Sequence, residues 1–201
     1  MLRRTLLACA SFALAGAVHA APAVGQAAPE IVLKDAAGQT VKLSDYRGKF
    51  VVLEWTNPGC PYVRKHYDSG NMSSTQQDAA AKGVVWLSVN STERDSGDYL
   101  APAKLVSWQK ERKLQATATL MDEEGVAGKA YGARTTPHMY IVDPQGKLVY
   151  AGGIDSIPSS SQSDIPKAVN YVKTGLAEAT AGKPITNAAT RPYGCSIKYK
   201  G

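Results

Sequence analysis

Phe50-Val-Val-Leu-Glu-Trp55 is an apolar, β-branched run of strand length, and it ends in the breaker Asn57-Pro58-Gly59. Cys60-Pro61 follows at what reads as the start of a helix, since proline is at home in a first turn. A cysteine at a strand-to-helix junction sits near unpaired backbone N–H groups and the positive end of the helix dipole. Both favour the thiolate, which is the reactive form of the side chain. Arg64 and Lys65 come within about one further turn and are expected to push the same way. The alternative is an inert buried thiol, a common fate for cysteine.

The elements around this junction alternate. Ile31–Lys34 and Thr40–Leu43, joined by the turn Asp35-Ala-Ala-Gly38, predict a β-hairpin. The helix after Cys60 is expected to break near Gly70-Asn71 and resume over Met72–Lys82. Val84–Val89 is nearly continuous in apolar residues, as a parallel strand covered on both faces should be. Leu100–Lys113 predicts an amphipathic helix, Thr117–Met121 a short strand and Glu123–Tyr131 a short helix. Met139–Val142 and Lys147–Tyr150 flank Pro144-Gln-Gly146 as a second hairpin. Ile165, Val169, Val172 and Leu176 mark a closing helix stopped by Gly182-Lys183-Pro184. Helix and strand patterns alternating in this way predict an α/β fold, a sheet with helices on both faces.

Residues 1–20 have the form of a cleavable export signal. Arg3 and Arg4 are followed by an apolar core from Leu6 to Ala17 and by Val18-His19-Ala20 as the cleavage site. That core is too short to span a membrane. The expected mature protein is periplasmic or secreted: one domain over 21–181 and a tail over 182–201. Of the three cysteines, Cys9 leaves with the signal and Cys60 and Cys195 remain, in a compartment that permits disulfides. Without Arg3 and Arg4 the chain has 21 basic and 17 acidic side chains, spread with no block of one sign. Such a surface gives no warrant for nucleic acid or membrane as a partner.

Ala28-Pro29, the Asp35–Gly38 turn, Leu43-Ser-Asp-Tyr-Arg-Gly-Lys49, Cys60-Pro61 and Thr136-Pro137 occur in one order. In that order the chain resembles the thioredoxin-fold redoxin group. The group includes peroxiredoxins of the alkyl-hydroperoxide-reductase and thiol-specific-antioxidant type and exported thioredoxin-like thiol–disulfide oxidoreductases. The resemblance implies a thioredoxin-like fold, with a mixed central sheet and an extra N-terminal hairpin. It puts Cys60 at the nucleophile position and Pro137, after Thr136, at the cis-proline that shapes a substrate groove. Trp55 is expected beside the active loop, or in the plain core. Arg134 is expected either near the thiolate or as a solvated surface residue. Two positions depart from the group's patterns: Val63 stands where a CxxC motif has its second cysteine, and Leu53 and Asn57 stand where peroxiredoxins have proline and Thr or Ser.

The resemblance implies a thiol-disulfide oxidoreductase or thiol peroxidase acting on a protein disulfide or a small peroxide, with an external thiol as electron donor. Because Val63 removes the local resolving thiol, Cys195 is the expected disulfide partner of Cys60. A free or intermolecular Cys195 is left open, as is a non-enzymatic binding module stapled by a structural Cys60–Cys195 bridge. His66, six residues after Cys60, falls on another helical face and reads as a surface or partly buried histidine rather than a general base. His138 is better placed to approach the sulfur, with a packing role as its alternative. The four thiol and imidazole side chains Cys60, Cys195, His66 and His138 contain no close ligand pair, and neither a metal nor a cofactor is expected.

Overall fold

The computed structural model describes residues 21–201, so the export signal expected over residues 1–20 lies outside the described residues. The first hairpin is β1 (Val32–Asp35) against β2 (Thr40–Lys42), antiparallel. Asp35 closes its turn by accepting from the amides of Ala37 and Gln39. β3 (Val51–Trp55) then leads into α1 (Pro61–Asp68), and α2 (Asn71–Ala81) follows after a break. Gly70 supplies the left-handed residue at that break.

β4 (Val85–Asn90) is parallel to β3, as a strand returning through a helical crossover should be. Next come α3 (Pro102–Glu111), β5 (Ala118–Met121), α4 (Val126–Tyr131) and the two-residue strand β6 (Thr135–Thr136). β7 (His138–Val142) and β8 (Leu148–Gly152) form the second hairpin. The seven-stranded sheet runs β2-β1-β5-β4-β3-β7-β8, mixed in direction, with β3 and β4 at its centre. No helix among the described residues is long and apolar enough to cross a membrane.

Strand periodicity divides the interior in two. Val51, Leu53 and Trp55 face one core, with Leu87, Val89, Leu120, Tyr140 and, from α4, Tyr131. Val52 faces the other, with Trp86, Met139, Ile141, Tyr150 and residues of α1, α2 and α5 (Tyr171–Thr180). Helices therefore cover both faces, and the architecture is the thioredoxin-like one that the resemblance implied.

The closing helix differs from its sequence pattern. Ile165 lies in a separate 3-10 turn over Gln162–Lys167, which holds Pro166, and Val169 is exposed. The α-helix starts only after Asn170, whose side chain caps it by accepting from the Lys173 amide at 3.0 Å. An apolar residue every three or four positions suggested one helix; the proline and the cap make two elements.

The segment from 182 onward lies across the domain as a strap. Ala189 bridges to Ala151, the Thr190 amide donates to the Ala151 carbonyl, and Lys198 accepts from the Glu93 amide. Between these points the strap adds β9 (Cys195–Ser196), antiparallel to β6.

Candidate active site

β3 ends where Thr56 donates its amide to Val89. Asn57 then shapes the turn: its side-chain oxygen accepts from the Gly59 amide at 2.7 Å and its amide group donates to Thr92 at 2.8 Å. The chain reaches Cys60 in an extended conformation as the cap of α1, with Pro61 in the first turn. Cys60 is 3% exposed, and its thiol donates to the Thr136 carbonyl at 3.1 Å. The Thr136–Pro137 peptide bond is cis.

β9 presents Cys195 to the same point. Thr136 and Cys195 are register partners, and the Cys195 amide donates to the Cys60 sulfur at 3.4 Å. Gly194 makes the approach feasible. It has φ +139°, and a Cβ there would overlap the Thr136 carbonyl. Both cysteines are free; Cys60 is buried and Cys195 partly exposed. Burial first, and then the neighbouring Cys60, pushes the Cys195 thiol up to about 12. A cavity of about 30 Å³ beside them, bordered by Thr56, Asn57, Cys60, Asp98 and Cys195, has room for roughly one water-sized molecule.

Cys60, Thr136, Pro137 and Cys195 thus come together, while Trp55 and Arg134 do not join them. Trp55 is wholly buried in the opposite core, against Tyr131 and Tyr140, with its indole N–H on Ser91 at 3.0 Å. Strand alternation dictates this, because Val52 and Glu54, not Trp55, share the side of the sheet on which Cys60 packs. Arg134 is exposed and meets the site only through its backbone, its carbonyl accepting from the Ile197 amide of the strap.

The cations expected to act on Cys60 are engaged elsewhere. Arg64 donates to the Pro58 carbonyl at 2.8 Å, and Lys65 is buried against Asp155 at 3.1 Å. Among the described residues the only amide bonded to the sulfur is that of Cys195. His66 is not a surface residue; it is fully buried, and desolvation lowers it to about 4. His138 takes the packing alternative, stacked on Tyr140 with its Nδ1 near the Tyr140 hydroxyl, and burial lowers it to about 3.

Below α1 lies a buried group that is not among the expected site residues. Glu54 is fully buried and accepts from the Tyr67 hydroxyl at 2.5 Å, the Trp86 indole at 2.8 Å and the Ser88 hydroxyl at 3.2 Å. Burial raises its pKa, and these donors offset only part of the rise. Tyr67 also meets the Thr56 hydroxyl at 3.0 Å, which borders the cavity, so a hydrogen-bonded path runs from Glu54 to the edge of the site. The signal was in the sequence: Glu54 is the one charge in the run Phe50–Trp55. Asp155 and Tyr193 carried no local signal at all.

Comparisons with known proteins bear on this arrangement. A family model described as AhpC/TSA family matches residues 24–151. Peroxiredoxin Bcp of Bacillus subtilis (strain 168) is 30% identical over 132 residues, 63% of this chain and 82% of that protein. The thiol-disulfide oxidoreductase ResA of Geobacillus thermodenitrificans is also 30% identical, over 64% of this chain and 68% of that one. Among solved structures, an uncharacterized conserved protein from Geobacillus kaustophilus has TM-score 0.73 and 26% identity, covering 89% of this chain and 93% of that one. A hypothetical protein from Sinorhizobium meliloti 1021 has TM-score 0.76 and 21% identity, over 90% of this chain and 97% of that one. Coverage this broad exceeds what residues up to 151 could supply, so it extends beyond the family match.

Proposed function

The chain belongs to the AhpC/TSA family, and from that premise we propose that this oxidoreductase is exported and works with Cys60 as nucleophile and Cys195 as its disulfide partner. One observation carries the reading: β9 pairs Cys195 with Thr136, so that its amide rests on the Cys60 sulfur. A second thiol at this point does the work that Val63 cannot.

The cavity favours a small hydroperoxide as oxidant in the closed arrangement, because it admits about one water-sized molecule. The Cys60 thiolate attacks one peroxide oxygen and the O–O bond breaks. The other oxygen leaves as hydroxide and takes up a proton to become water, and Cys60 becomes a sulfenic acid. The Cys195 sulfur then attacks the Cys60 sulfur, water leaves and the disulfide forms. Two external thiol groups reduce the bridge and are themselves joined as a disulfide.

A second reading rests on the exposure of Cys195. Beside it lies an open groove of about 510 Å³, walled by Tyr62, Thr135, Tyr171, Arg191 and Tyr193. A protein thiol or disulfide seated there would reach Cys195 first, and exchange would run through a mixed disulfide on that sulfur.

Peroxide consumption and protein-disulfide reduction, assayed side by side on the reduced protein, test the proposal. Cys60→Ser is expected to abolish both. Cys195→Ser is expected to consume one equivalent of peroxide and stop at a sulfenic acid that dimedone traps. Full turnover by Cys60→Ser would overturn the assignment of the nucleophile. Sustained turnover by Cys195→Ser with a dithiol donor, at the wild-type rate, would remove Cys195 from the reaction.

A further inference from the structure

α1 carries more than the nucleophile. Lys65 and His66 follow Cys60 on the same helix, and both are wholly buried beside Asp155, in the loop after β8. Lys65 donates to the Asp155 carboxylate at 3.1 Å and to the Ile157 carbonyl at 3.1 Å. Tyr193, on the strap, completes the group: its hydroxyl donates to the other oxygen of Asp155. The side chain of Asn71 donates to Nδ1 of His66 at 2.8 Å, which leaves Nε2 protonated and directed at the Tyr193 oxygen, 3.3 Å away. Lys65 also lies 3.4 Å from that oxygen. The Tyr193 ring packs edge-on against Tyr62, with centroids 5.8 Å apart.

The dimensions fit a spacer. Lys65 is five residues along α1 from Cys60, roughly 7.5 Å at 1.5 Å per residue. On the strap, Tyr193 is two residues before Cys195, roughly 7 Å of extended chain. A strap tied to the side of α1 at Tyr193 therefore reaches the start of α1 at Cys195, where Cys60 lies. β9 is too short to set that register alone, having two residues on each side of the seam.

We propose that the buried Lys65–Asp155–Tyr193 clasp is the positioning device for the resolving thiol, holding Cys195 at the Cys60 sulfur. This rests on the assignment of Cys195 as disulfide partner. The clasp makes no contact with the reacting sulfurs and acts through the register of the strap. A buried ion pair is a poor means of gaining stability, because desolvation of both charges consumes most of the attraction. It does fix geometry, because neither charge can shift without leaving the other unpaired. Tyr193 is the hydroxyl through which that geometry passes to the strap.

The test is the equilibrium of the Cys60–Cys195 bridge with reduced and oxidised glutathione in wild type, Tyr193→Phe and Asp155→Asn. Tyr193→Phe removes one hydroxyl and keeps the ring on Tyr62; thermal melting and far-UV circular dichroism test whether each variant is folded. The effective concentration of Cys195 at Cys60 is expected to fall at least tenfold in Tyr193→Phe, a rise of about 30 mV in reduction potential. In a Cys60→Ser background, the same change should speed alkylation of Cys195 several-fold. A potential equal to wild type, with unchanged alkylation, would reduce the clasp to packing and overturn the inference. Should Asp155→Asn prove unfolded, the two Tyr193→Phe readouts decide alone. A wild-type protein that forms no Cys60–Cys195 bridge would overturn the underlying assignment and the inference together, a result distinct from an intact bridge that ignores Tyr193.

Discussion

Two carboxylates are buried on either side of α1, and the chain treats them in opposite ways. Glu54 has no cation; a tyrosine, an indole and a serine donate to it, and burial raises its pKa. Asp155 faces a buried lysine and takes a tyrosine hydroxyl from the strap. The first arrangement suits a group that can hold a proton beneath the site. The second suits a fixed charge that orients whatever is bonded to it. What differs is the partner, not the depth of burial.

The largest way to break this contrast is to delete each carboxylate in turn. Asp155→Ala leaves Lys65 buried without its counter-charge and is expected to cost about 3–5 kcal/mol in urea unfolding. Glu54→Gln should stay within about 1.5 kcal/mol, the scale of a single hydrogen bond. The amide keeps an oxygen for Trp86 and Ser88, and Tyr67 can turn its proton to Thr56. Equal losses from the two changes would show that the partners do not matter.

Acidity sharpens the same contrast on a smaller scale. His66, beside the clasp, is lowered by burial from 6.5 to about 4. Between those values the unfolded chain binds a proton that the folded chain does not. The stability is therefore present above 6.5 and lost as pH falls towards 4, by about 3 kcal/mol. His138, also lowered by burial, adds a loss of the same sign. Glu54 works the other way. Its raised folded value means that the folded chain keeps the proton above 4.5, so its share of stability fades as pH rises. Melting curves from pH 4 to 8 should show His66→Gln losing part of the acid-side fall and Glu54→Gln losing the opposing trend. An acid-side fall unchanged in His66→Gln would remove His66 as its source.

Much of the central sheet could be read directly. β3 and β4 are covered on both faces, which makes their composition nearly all apolar, and the cysteine at the end of β3 needed only the turn and the proline beside it. The same reading hid Glu54, because a run taken as apolar gave no reason to ask what its one charge was bonded to. The burial of Lys65 and His66 is illegible for a related reason. Their local setting is a helix after a cysteine, while their partners Asp155 and Tyr193 are 90 and 127 positions away. Cys195 was expected at Cys60 because a resolving thiol was missing. Nothing in two residues of strand could show that β6 would receive it.

The pairing of β6 with β9 also has a meaning in time. It joins residues 136 and 195, and closing a loop of that length is opposed by chain entropy until both sides have a surface to meet. β6 lies directly before β7, which pairs with β3 at the centre of the sheet, so the expected order has the strap docking on a sheet already formed. Folding in that order is expected to include an interval in which Cys60 is in place and uncovered. Pulsed alkylation during refolding would read that interval as labelling of Cys60 that the native protein resists. An external disulfide that meets Cys60 in that interval would exchange with it, leaving a mixed disulfide on Cys60 and releasing its other half as a thiol before the strap covers the sulfur.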